Sequence, residues 1–149
     1  MDLDQISQIL PNGFHDAQLC KLVLDYERRE ALIKLDVWIG EASSDSQEDR
    51  DAYRAGELCL LGLVYAVLEP PTSEPSAGDE PALWIDGGQY TDGVKVQRPD
   101  VTLPEGGFAY WFFVSNWNSF IHVAATDARF RWNDESFDAE KRNQSSGGP

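Results

Sequence analysis

The chain has 149 residues, a length that suits one domain built round one core. It carries 26 Asp and Glu against 12 Lys and Arg, a formal net charge of -14 that repels phosphate backbones, disfavours nucleic acid as a partner and draws in cationic proteins. The longest apolar run, Leu58 to Leu68, falls short of the roughly 20 residues of a membrane helix, and "MDLDQISQIL" shows neither a basic nor a long apolar leader segment, so a cytoplasmic protein is expected.

Leu3, Ile6, Ile9 and Leu10 follow helical spacing until Pro11, Asn12 and Gly13 end the pattern, which predicts a short amphipathic helix. From Leu19 the period changes to two. Cys20, Leu22, Leu24 and Tyr26 share one face, Lys21 and Asp25 the other, and alternation resumes after "ERRE" with Ala31, Ile33, Leu35, Val37 and Ile39, predicting a hairpin. Residues Glu41 to Glu57 read as a loop or a weak, solvent-facing helix ending at Gly56, and Glu57 to Glu69 as a buried strand. Pro70 to Pro81 holds four of the eight prolines and reads as an irregular surface loop. Beyond it, "DGG" at Asp86, "DG" at Asp92 and "PEGG" at Pro104 read as turns between strands Leu83–Asp86, Val94–Arg98 and Phe108–Ser115; Phe120–Ala125 and Ala128–Trp132 follow, and the last three form an expected meander. Asn143 to Pro149 has nothing to bury and reads as a disordered tail behind a globular domain of residues 1–142. The expected fold is mainly β (α+β), a single-domain antiparallel sheet or sandwich with a short N-terminal helix.

The segment "GFHDA", Gly13 to Ala17, places a histidine beside an aspartate. In extended backbone, adjacent side chains point to opposite faces, so His15 and Asp16 would not form a pair. The structural reading is therefore favoured: Asn12-Gly13 makes a turn, Asp16 accepts backbone N–H groups and His15 fills a hydrogen-bonded place at the edge of the core. His15, Cys20, Cys59 and His122 lack the spacing of a zinc site, and both cysteines sit in apolar sequence where a thiolate is disfavoured, so no metal, cofactor, disulfide or catalytic residue is expected. The aromatic segment Phe108 to Phe120 reads as core ahead of a ligand pocket. Glu41, Asp45, Glu48, Asp49 and Asp51 read first as a solvated loop and, functionally, as a landing site for a basic protein.

The stretch "FHDAQLCKLVLDYERREALIKLDVWIG" resembles small bacterial domains with an "FHDA" opening and a following hairpin, among them an immunity-protein family of polymorphic toxin systems. The likeness also touches the strand Leu58–Leu68 and the closing "HVAATDARFRW", and its motif maps onto Phe14, His15, Asp16 and Ala17. It implies a β-rich, intracellular, non-catalytic domain that binds and blocks a toxin. The expected function is thus a protein-binding module, an immunity-type inhibitor of a basic bacterial toxin. A small-molecule-binding β domain with an aromatic pocket and a hydrolase remain the alternatives, and the oligomeric state is not legible.

Overall fold

Asp2 begins the first helix, α1 (Leu3–Ile9), with a reciprocal cap: its carboxylate accepts the Gln5 N–H at 2.8 Å, and its own N–H donates to Gln5 Oε1 at 2.9 Å. Leu3 and Ile6 enter the core, whereas Ile9 is 65% exposed because so short a helix has only a narrow buried stripe. The structure, a computed structural model, describes residues 1–72, 82–90 and 100–135. The expected strand 94–98, the turn at 92–93, most of the proline-rich loop and the tail 143–149 lie outside the described residues.

Among the described residues eight strands follow the helix: β1 (Ala17–Asp25), β2 (Glu30–Trp38), β3 (Tyr53–Leu61), β4 (Tyr65–Leu68), β5 (Leu83–Gln89), β6 (Phe108–Val114), β7 (Ser119–Ala125) and β8 (Asp127–Trp132). A one-turn helix, α2 (Gln47–Arg50), lies between β2 and β3. All pairings are antiparallel, in the order β4-β7-β6-β5-β1-β2-β3-β8. The mainly β, antiparallel fold expected from alternation is the observed one.

The two ends of that order are covalently close. Only residues 62–64 join β3 to β4, and only Thr126 joins β7 to β8, so the sheet must curl until its ends meet. Hydrogen bonds from Thr126 N–H to the Leu61 carbonyl (3.1 Å) and from Val64 N–H to the Ala124 carbonyl (2.7 Å) carry the ladder across the bend. The register slips by one residue there, since four steps from Leu61 to Tyr65 face three from Asp127 to Ala124. Gly62, at φ +60°, is the left-handed residue of this bulge. Ile33, Leu35, Leu58, Leu60, Phe112 and Val114 fill the inside together with Phe14 and the buried face of α1.

Three sequence expectations change as a result. The strand placed at Glu57–Glu69 starts at Tyr53 and is broken at Gly62, because the apolar run crosses the bend. The expected meander stops after β6 and β7: one intervening residue cannot reverse the chain, so β8 continues past the bend and pairs with β3. Cys20 is exposed, not buried, because the register of β1 shifts between Leu19 and Lys21, which puts Leu19 with Leu22 and Leu24 against the core. Tyr26, past the end of β1, is also exposed.

On the outer face of β2, β3 and β8, Glu57 sits between two cations. Its Oε2 accepts from Arg131 Nη2 at 2.7 Å and Nε at 3.0 Å, and its Oε1 lies 3.5 Å from Lys34 Nζ. These bonds, Arg131 first, hold the carboxyl below its ordinary range. A depressed folded pKa contributes stability that is complete above the unfolded carboxylate range and drains away as pH falls through the folded value. Glu57→Gln should therefore lower stability by about 1 kcal/mol at neutral pH, a modest figure because both cations are half exposed. Urea unfolding should show the variant and wild type converging in acid; an equal gap at neutral and acid pH would mean that the charge contributes nothing.

Candidate functional site

Phe14 is buried under β6, its ring edge-on to Phe112 at 5.4 Å and to Tyr110 at 6.0 Å. Anchoring that side chain leaves the next two residues of the turn facing solvent. Asp16 then takes a left-handed φ of 53°, a conformation that Asp tolerates better than most residues. The backbone is not extended there, so His15 and Asp16 do face each other: Nε2 and Oδ2 are 3.3 Å apart. A third group arrives from β5. Pairing of Ala17 with Ile85 sets Asp86 beside the turn, and its Oδ1 lies 2.6 Å from His15 Nδ1. Sequence reading assigned Asp86 to a turn and missed it; a contact across 71 residues leaves no local signal.

His15 is thus not at the core edge but 60% exposed on its side chain, held at both ring nitrogens by carboxylates. Its pKa is raised: the hydrogen bond to Asp86 is the largest cause, partial desolvation opposes it, and the charges of Asp86 and Asp16 add smaller upward effects. Such a ring keeps its proton more firmly than free histidine, which suits an ionic clasp better than a general base.

The acidic loop is stitched to this turn. Asn12 Nδ2 donates to the carbonyls of Trp38 (3.1 Å) and Gly40 (2.9 Å), and Trp38 Nε1 donates to the Arg50 carbonyl at 2.6 Å. Glu41, Asp45, Glu48, Asp49 and Asp51 are all exposed. The one cation among residues 41–51, Arg50, turns back to donate to the Ser44 carbonyl at 2.8 Å. Tyr53 ties the two acidic groups together: burial raises its phenol pKa most, and the charges of Asp16 and Asp51 raise it further. Trp38, whose ring lies 6.2 Å from that of His15, and the Tyr53–Trp84 pair, at 6.0 Å, set aromatic rings among the carboxylates. The loop acids that the sequence singled out and the "FHDA" acid that it treated separately form one surface.

The aromatic strand divides its rings between two faces. Tyr110 and Phe112 of β6 enter the core, while Trp111 meets Phe120 edge-on on the opposite face. His122 shares that outward face yet is only 1% exposed, stacked against Tyr90 and Phe120. Its Nδ1 lies 3.1 Å from the Tyr90 hydroxyl and its Nε2 3.4 Å from Glu69, while burial drives the Tyr90 phenol pKa strongly upward. These partners satisfy a buried ring. An apolar groove of about 220 Å³ between β1 and the end of β4, lined by Leu19, Leu22, Leu68, Trp117 and Ile121, is smaller than the roughly 300–1,000 Å³ of small-molecule sites. Partial desolvation and the Asp36 charge raise the Cys20 thiol pKa, and desolvation raises that of half-buried Cys59, which disfavours the thiolate at either position.

Among the described residues, His15, Asp16 and Asp86 are the one group of potential metal ligands that converges. The His15, Cys20, Cys59 and His122 set does not. No described helix is long and apolar enough to cross a membrane. Comparisons with family models, curated proteins and solved structures give no match.

Proposed function

We propose that this chain is a non-catalytic protein-binding module that takes a cationic protein on the acidic end of its sheet, in the manner of an immunity-type inhibitor of a basic bacterial toxin. The supporting observation is the continuity of Asp16, Asp51 and the exposed loop acids around Trp38, Tyr53 and Trp84. Carboxylates steer a basic partner and pair with its Lys and Arg side chains, and the indole and phenol faces offer cation–π contacts to the same groups. The "FHDA" resemblance points to the same class of partner. A partner that uses Arg and Lys to hold phosphate would find its own groove filled, which is how such binding would inhibit a nuclease. The free thiols Cys20 and Cys59 suit a reducing compartment, and hence an intracellular role.

Changing Asp45, Glu48 and Asp49 together to Ser tests this reading. With an arginine-rich peptide as the cationic probe, and with the product of any adjacent toxin-like reading frame, association should slow by about tenfold at low salt. Dissociation should change less, and the difference should shrink at high salt. Rates equal to wild type at every salt concentration would reduce the loop to solvated surface and remove the basis of the proposal.

A further inference from the structure

His15 is one of only two histidines in the chain, and the other, His122, is buried with both ring nitrogens engaged. Of the two carboxylates at the exposed ring, Asp86 makes the short hydrogen bond. Asp86, fixed on β5, meets Nδ1 at 2.6 Å, which makes Nδ1 the donor in a neutral ring and leaves the lone pair on Nε2. Metal-binding histidines are held in this way, with the non-ligating N–H given to a carboxylate that sets both tautomer and ring orientation. Nε2 in turn faces Asp16 Oδ2 across 3.3 Å, the separation spanned by two metal–ligand bonds of about 2.1 Å meeting at about 104°. That angle is close to tetrahedral, so an ion fits between the two atoms with little rearrangement.

We propose that His15 Nε2 and the Asp16 carboxylate bind one divalent first-row transition-metal ion, with Asp86 as the orienting carboxylate. Imidazole with carboxylate is a donor set for Zn²⁺ and its neighbours, whereas Mg²⁺ and Ca²⁺ prefer oxygen ligands alone. Half-exposed side chains leave the remaining coordination positions to water or to a group brought by a partner. Where the ring holds a second proton, the arriving ion displaces it from Nε2 into solvent. The surrounding acids raise the local cation concentration without supplying the site's selectivity. This inference stands apart from the proposed function, because it needs no protein partner.

Calorimetric titration of the chelator-treated protein with ZnCl₂ is the test, with Ni²⁺ quenching of tryptophan fluorescence as a second readout, since Trp38 lies beside His15. One equivalent should bind, with quenching that saturates at the same stoichiometry. His15→Ala should abolish both signals, and Asp86→Asn should weaken affinity by about 10–100-fold through loss of ring orientation. The loop variant carrying Ser at positions 45, 48 and 49 should still bind one equivalent. His15→Ala is expected to keep its fold, and circular dichroism checks this; should it unfold, Asp16→Asn takes its place and must likewise weaken binding. Failure of Zn²⁺ to bind at millimolar concentration would overturn the proposal, as would binding that survives loss of His15 or that disappears in the loop variant alone.

Discussion

Phe14→Ala is expected to destabilise the protein by about 3–5 kcal/mol, the usual cost of removing a buried aromatic side chain. The ring is 1% exposed and meets two other aromatic rings edge-on, so its removal forfeits transfer energy and leaves a cavity that the sheet, closed on itself, has little freedom to collapse. Against a typical total of about 5–15 kcal/mol, that is a large share. For a chain of this length the melting temperature should fall by about 8–20 °C. His15→Ala, one residue along, should cost about 1 kcal/mol or less, because its ring is mostly solvated and its ion pairs are exposed. Thermal melts of the two variants side by side check the division of labour within "FHDA". A Phe14 variant that melts with the wild type, beside a His15 variant that collapses, would reverse it.

The second large effect is expected at Gly62. A Cβ there costs the left-handed conformation, about 1–2 kcal/mol, and also runs into the hydroxyl of Thr126, the residue between β7 and β8. That hydroxyl donates to the Leu61 carbonyl at 3.2 Å, so it cannot withdraw without loss. Gly62→Ala should therefore cost about 2–4 kcal/mol and loosen the bend by which the sheet closes. Gly106 is the internal control: its φ is +76° but nothing lies within 4 Å of an added Cβ, so Gly106→Ala pays only the conformational part. Adding Thr126→Ala to Gly62→Ala should restore part of the loss, and urea unfolding of the double-mutant cycle measures how much. If Gly62→Ala costs no more than Gly106→Ala, the collision is not real.

Residues 17–38 show how far local pattern reaches. Alternation made β1 and β2 legible as a hairpin, and in β2 it also identified the core positions Ala31, Ile33, Leu35 and Val37. In β1 the same argument failed at Cys20, because a bulge inverts the faces on one side of it without changing the apolar pattern. The acidic loop was legible by composition, but its continuity with Asp16 was not, since that depends on Asn12 and Trp38 bridging the turn and the loop.

By itself, the sequence determined the strand-rich, antiparallel class, the short N-terminal helix, the anionic character and the exposed acids, all of which depend on neighbours within a few residues or on simple charge count. Only the tertiary structure decided that the sheet closes through Gly62 and Thr126, that β8 leaves the meander for β3, and that Asp86 reaches His15. Each of these brings together segments far apart in the chain. Period-two patterning says which side of a strand is apolar but carries no information about which strand lies beside it. The neighbours are settled by which closed arrangement buries all the apolar faces at once, and that is a property of the whole chain.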